Sequence, residues 1–149
     1  MAVVSQPGRA LGVDLGSVRI GLALSDPTRT VASPYDVVAR GADHDADHRA
    51  ILDVARAKGV TTIVVGLPRS LSGAMGPAAR AAEQEIRELR RAAGPAFEVV
   101  AHDERLTTVT AERALDEARV DRRTRKTVVD KVAAAVMLQS WLESPVSAR

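Results

Sequence analysis

Three acidic residues interrupt or terminate apolar segments of the sequence. Asp14 lies inside the run Leu11 to Leu15, which otherwise suits a strand bound for the core. Asp130 follows Val128 and Val129 and precedes the aliphatic stretch Val132 to Leu138. At about 100° per residue of helix it projects to the same side as Ala133, Ala134, Met137 and Trp141. Glu104 sits with Asp103 where the segment Phe97 to His102 runs out, and open α/β sheets place their chemistry at such strand ends. A carboxylate on apolar surface is costly unless it is paired or bound to a cation. Three of them brought together would push up one another's pKa values. Divalent cations remove that conflict, and oxygen donors suit Mg²⁺ or Mn²⁺. Two such ions held roughly 3.5–4 Å apart clamp both the attacking and the leaving oxygen of a phosphodiester. Each acid also has an ordinary reading. An Asp near a strand end is often a turn former, Asp130 can pair with Lys126 or Lys131, and Glu104 can pair with Arg105 or serve a helix N-terminus.

Basic residues lie close to all three in sequence. Arg122, Arg123, Arg125 and Lys126 fall within five positions, just before the helix expected to carry Asp130. Such a run is either a phosphate contact or a solvated loop, and Asp116, Glu117 and Asp121 dilute it. Arg19, Arg69 and Arg105 are further phosphate-binding candidates. His44, Asp45, Asp47 and His48 have metal-site spacing, since residues four apart share a helix face. Acids at a helix start are favoured by the macrodipole, however, and no third strong ligand is near in sequence. A solvated helix start is therefore the expectation there. Gly66, Gly73 and Gly76 do not form a P-loop. His102 can serve as a base, but Glu104 and metal activation make it unnecessary. Ser72 and Ser140 have no plausible triad, and Met137 and Trp141 read as core.

The elements that must position these residues follow from periodicity. Leu11 to Leu15 and Ile20 to Leu24 are strands joined too tightly to be anything but antiparallel. A third strand spans about Val31 to Arg40, with Pro34 placing it at an edge or after a bulge. Helical spacing runs from Ala46 to Lys58 and stops at Gly59. Thr61 to Val65 is β-branched throughout, as a buried central strand would be. A loop from Arg69 to Pro77 leads to a helix from about Ala78 to Ala93, and Phe97 to Asp103 is a strand again. Thr107 or Thr108 can cap a helix to about Ala118, and a final helix runs from about Lys126 to Glu143. The sum is an α/β fold: three antiparallel strands, then parallel strands alternating with helices, in one five-stranded mixed sheet flanked by helices.

Composition bounds the chemistry. The 149 residues include no cysteine, which removes thiol nucleophiles, disulfides and iron–sulfur clusters. Length implies one domain, 10–143, with loose ends at 1–9 and 144–149. No stretch suits a signal peptide or a membrane span, so a cytoplasmic protein without membrane contact is expected. Of twenty-one basic residues, eighteen are Arg, against nineteen acids, a small excess that argues only weakly for nucleic acid. Three aromatic residues are too few for a base-stacking platform.

The run Gly12-Val13-Asp14-Leu15-Gly16-Ser17-Val18-Arg19-Ile20-Gly21 resembles the opening motif of the YqgF/RuvX family. These are described as pre-16S ribosomal RNA nucleases and as Holliday-junction-resolvase-like proteins. Val65 to Pro68 with Ser72-Gly73, Asp103 to Thr108, and Val129 to Ala134 with Leu138-Gln139 match further family motifs in order. The resemblance covers about Leu11 to Glu143. It implies an RNase H-like fold, with Asp14, Glu104 and Asp130 as catalytic acids holding two Mg²⁺ or Mn²⁺ ions. Arg19, Arg69, Arg105, Arg125 and Lys126 would then contact nucleic acid. Val18 stands where the family often has a second basic residue beside Arg19, a departure that bears on one phosphate contact implied by the resemblance and not on the acids. The expected activity is endonucleolytic processing of the 5′ region of precursor small-subunit ribosomal RNA, on or near the ribosome, by a monomer or a homodimer. Resolution of branched DNA, or non-catalytic nucleic-acid binding in ribosome assembly, is the alternative. An actin-like nucleotide module, suggested by Asp14 to Gly16 at a hairpin, would need a second lobe that 149 residues cannot supply.

Overall fold

The computed structural model describes residues 8–67, 76–103 and 122–144, the side chains of the last segment from residue 129 onward. β1 (Arg9–Leu15) and β2 (Arg19–Ser25) form an antiparallel hairpin, with Leu11 opposite Leu24 and Asp14 opposite Gly21. β3 (Ala32–Ala39) continues the sheet antiparallel to β2. Helix α1 (His44–Ala57) leads to β4 (Val60–Leu67), parallel to β1. Helix α2 (Pro77–Ala93) and a 3-10 turn at Gly94–Ala96 lead to β5 (Glu98–Asp103), parallel to β4. Helix α3 (Arg122–Glu143) closes the described chain. The strand order is β3-β2-β1-β4-β5, the mixed sheet that the periodicity predicts.

The core has two compartments, one on each face of the sheet. On one, Leu11, Val13, Ile20, Leu22, Ile63, Val65 and Val99 pack against Ile51 and Leu52 of α1 and Ile86 and Leu89 of α2. On the other, Ala10, Ala23 and Val64 pack against Ala134, Met137, Leu138 and Trp141 of α3. β1 and β4 are covered on both sides, which is why they read as continuous apolar runs and not as alternating ones. Successive residues of a strand face opposite ways, so Ala10, Gly12 and Asp14 share the α3 side. α1 ends at Gly59 and α2 at Gly94, both at positive φ, where a side chain would be strained.

Side-chain volume on the α3 face is small for a reason. A Cβ on Gly12 would stand 2.9 Å from Leu138 Cβ and 3.0 Å from the Ala134 carbonyl oxygen. One on Gly21 would overlap the carbonyl oxygen of Asp130 outright. The helix thus rests backbone against backbone on β1 and β2. Gln139 fastens it further, accepting from the Ala32 N–H at 2.8 Å and donating to the Thr30 carbonyl at 3.1 Å.

Two expectations are refined. Pro34 does lie on an edge strand, beside a register shift where Leu22 pairs Asp36 and Ala23 pairs Pro34. The basic run from Arg122 to Lys126, expected before the last helix, belongs to its first turns; nothing there breaks a helix, and Arg and Lys are good formers. The helix expected from Thr107 or Thr108 to Ala118, and most of the loop from Arg69 to Pro77, lie outside the described residues.

Candidate active site

Because β1, β4 and β5 are parallel, their C-terminal ends share one edge of the sheet. Asp14 is the next-to-last residue of β1 at that edge. Its register partner Gly21 is the residue on which the Asp130 backbone rests, so the missing side chain of Gly21 lets the two acids approach. Burial pushes the Asp14 carboxyl up to about 6, and repulsion from Asp130 adds to the rise. Asp130 accepts a hydrogen bond from Arg19 Nε at 2.6 Å, in an ion pair that is about a quarter to a third exposed. Arg19, a candidate phosphate contact, is therefore a partner of the acid as the chain stands. The structure brings Asp14, Asp130 and Arg19 together.

The third acid, Glu104, follows β5 in sequence but lies outside the described residues, as do Arg69 and Arg105. Arg125 and Lys126 are placed only as backbone of α3. On β5, Val100 packs toward α3, and His102 Nε2 lies 3.1 Å from Ser140 Oγ of that helix. Burial lowers the His102 pKa, with Asp103 partly offsetting it. Asp14 and Asp130 offer oxygen donors alone, a set that suits a hard divalent cation.

A second polar cluster lies on the opposite face, and the sequence reading misplaced it. Asp47 and His48, expected on a solvated helix start, are 3% and 1% exposed. Glu85 of α2 is buried with them. Arg40, which follows β3, donates to Glu85 Oε2 at 2.6 Å and Oε1 at 2.9 Å, and to Asp47 Oδ2 at 3.1 Å. His48 Nε2 lies 2.9 Å from Glu85 Oε2, and Asp47 Oδ1 accepts from the Gly41 N–H at 2.7 Å. Burial alone would raise Glu85, but the hydrogen bonds from His48 and Arg40 outweigh it and hold the carboxylate at about 2. Asp43 caps α1 by accepting from the Ala46 N–H at 2.8 Å. The ligand atoms of His44, His48 and Glu85 fall within 4.8 Å of one another, the third ligand coming from a different helix. Both Glu85 oxygens already serve Arg40, however, so this cluster is satisfied as an ion-pair network. The signal that could have found it is the one that found the catalytic candidates: Glu85 interrupts the buried stripe Ala82, Ile86, Leu89. Beside the network a cavity of about 590 Å³ opens between Gly16, Ser17, Asp43 and Ala81.

A family model described as RuvX, Holliday junction resolvase, matches residues 8–144. A protein of Mycobacteroides abscessus named "Putative pre-16S rRNA nuclease" is 45% identical over 136 residues, covering 91% of this chain and 81% of that protein. Another of the same name, from Roseiflexus sp. (strain RS-1), is 43% identical over 141 residues, covering 94% of this chain and 97% of that protein. Among solved structures, T. thermophilus RuvC in complex with a Holliday junction substrate aligns with a TM-score of 0.52 at 16% identity, over 91% of this chain and 96% of that one. This likeness is one of fold, and the fold is RNase H-like.

Proposed function

This chain belongs to the RuvX family, and on that premise we propose that it is a divalent-metal-dependent endonuclease. Its substrate in this reading is the 5′ region of precursor small-subunit ribosomal RNA, cut in the cytoplasm; the names of the relatives at 43–45% identity support the substrate class. The observation that carries the reading is the pairing of Asp14 with Asp130. A carboxylate whose pKa is raised first by burial and then by a second carboxylate nearby is a place where a bound cation would relieve the cost. With Glu104 completing the set, these residues fit Mg²⁺ or Mn²⁺, and two ions would polarise the scissile phosphate and offset charge on the leaving oxygen. The chain's own part is to hold the carboxylates. β1 fixes Asp14, the contact of α3 with Gly21 sets the depth of Asp130, and Arg19 holds the Asp130 carboxylate while no ion is bound. Arg19, Arg69, Arg105, Arg125 and Lys126 are the proposed phosphate contacts, and water is the nucleophile, with no covalent enzyme intermediate.

The description of the family as a Holliday junction resolvase favours a second reading, cleavage of branched DNA. One experiment separates the two: labelled precursor RNA and a four-way DNA junction are incubated side by side with purified protein and Mg²⁺ or Mn²⁺. Cleavage of the RNA, abolished in Asp14→Asn, Glu104→Gln and Asp130→Asn, is expected. Junction cleavage alone would establish the second reading, and activity that survives all three substitutions would refute the site.

A further inference from the structure

We propose that Arg40 is a positioning residue for the acidic site, acting through the hairpin turn that joins β1 to β2. The proposal rests on the nuclease reading for what the turn positions, but the link itself is visible in the structure. Arg40 Nε donates to the Gly16 carbonyl at 2.9 Å, and the Arg40 backbone N–H donates to the Val18 carbonyl at 3.0 Å. The Gly16 N–H in turn donates to the Asp14 carbonyl at 3.0 Å. Both backbone polar groups of Gly16 are therefore engaged, its N–H by the residue that carries the acid and its carbonyl by Arg40. Two residues beyond the turn tip, Arg19 holds Asp130. The turn Gly16–Val18 thus lies between the two groups that present the carboxylates, and Arg40 grips it at two points.

The rest of the guanidinium explains why this grip is firm. Its two terminal nitrogens are committed to Glu85 and Asp47, and Glu85 is steadied by His48. Asp47, His48 and Glu85 are the buried ionisable side chains among the described residues. Replacing such buried ion pairs by packed apolar groups is often neutral or stabilising, so stability alone is a weak reason for them. What they supply is direction. A planar fork fixed along one edge by two carboxylates leaves Nε aimed at a single acceptor, the carbonyl of Gly16. Lysine keeps the charge but has no such fork. Groups that orient metal ligands from behind typically contribute roughly 10- to 100-fold to metal affinity when removed.

The test uses Arg40→Lys and, since a buried change can impair folding, Glu85→Gln as a second variant that keeps side-chain volume. Hydrogen exchange of peptides spanning residues 11–21 reads the turn without any reference to metal. Mn²⁺ binding followed by electron paramagnetic resonance, with Asp14→Asn as control, reads the acids. Arg40→Lys should stay folded, exchange faster at the turn, and bind Mn²⁺ roughly 10- to 100-fold more weakly. Glu85→Gln should move both readouts the same way by less. A merely structural role would lower the melting temperature while the folded protein bound Mn²⁺ as tightly as before, and that result overturns the proposal. So does turn exchange unchanged from wild type in the variants that fold. If wild type and Asp14→Asn bind Mn²⁺ alike, the metal site is what fails, and accelerated exchange still decides whether Arg40 holds the turn.

Discussion

At the scale of single residues, the partly buried Asp14 and the buried Glu85 are acids shifted in opposite directions. Asp14 titrates in the folded chain at about 6, above the ordinary 3.8. The folded state then holds a proton that the unfolded chain releases, so stability falls as pH rises from about 4 through about 6 and stays lower above. Asp14→Asn should therefore stabilise the metal-free protein at pH 7.5 by on the order of 2 kcal/mol, with the gain vanishing below pH 4. Urea denaturation at the two pH values measures it. Mn²⁺ should raise the melting temperature of wild type and leave Asp14→Asn unmoved. Glu85 has the reverse sign, held at about 2 against an ordinary 4.5. Its contribution is present above pH 4.5 and is lost as pH falls toward 2. Glu85→Ala, which leaves Arg40 underpaired in the interior, should cost about 3 kcal/mol by chemical denaturation. An unchanged unfolding midpoint would contradict the pairing.

At the scale of elements, the seam between α3 and the β1–β2 hairpin sets the site. Gly21→Ala puts a methyl where the Asp130 carbonyl stands, so the helix must lift or the strand must bend. A cost of about 1–3 kcal/mol and a loss of Mn²⁺ affinity together are expected; a variant as stable and as metal-avid as wild type would show that the seam is slack. The helices were legible from their period and the strands from short apolar or β-branched runs closed by turn residues, and Asp14 and Asp130 stood out because each interrupts an apolar segment. Gly21 was legible only as part of a motif, since nothing local says that a helix more than a hundred residues later will press against it. The Arg40 network was hidden for the same reason. Arg40 is 45 residues from Glu85, and at a strand end it looks like any solvated arginine. Asp47 and His48 misled because a helix start is ordinarily wet, and here the neighbouring helix covers it.

At the scale of the molecule, parallel β1, β4 and β5 deliver their ends to one edge, while two separate cores hold the sheet from either side. Among the described residues no helix is long and apolar enough to cross a membrane. With a net charge of only +2, attraction to a polyanion depends on which arginines are free at a given moment and not on the total. Here the Arg19–Asp130 pair has a consequence beyond geometry. A cation arriving at Asp130 competes with the guanidinium, and a released guanidinium is available to a phosphate. Ion and nucleic acid then become linked ligands, and linkage is reciprocal: each must tighten the other by the same factor. Affinity for an RNA blocked against hydrolysis should rise with Mg²⁺, Mg²⁺ affinity should rise equally with RNA, and Arg19→Gln should shrink both effects alike. The charge inside one ion pair would thus serve as a switch, silent until the metal is loaded and then turned outward to the substrate.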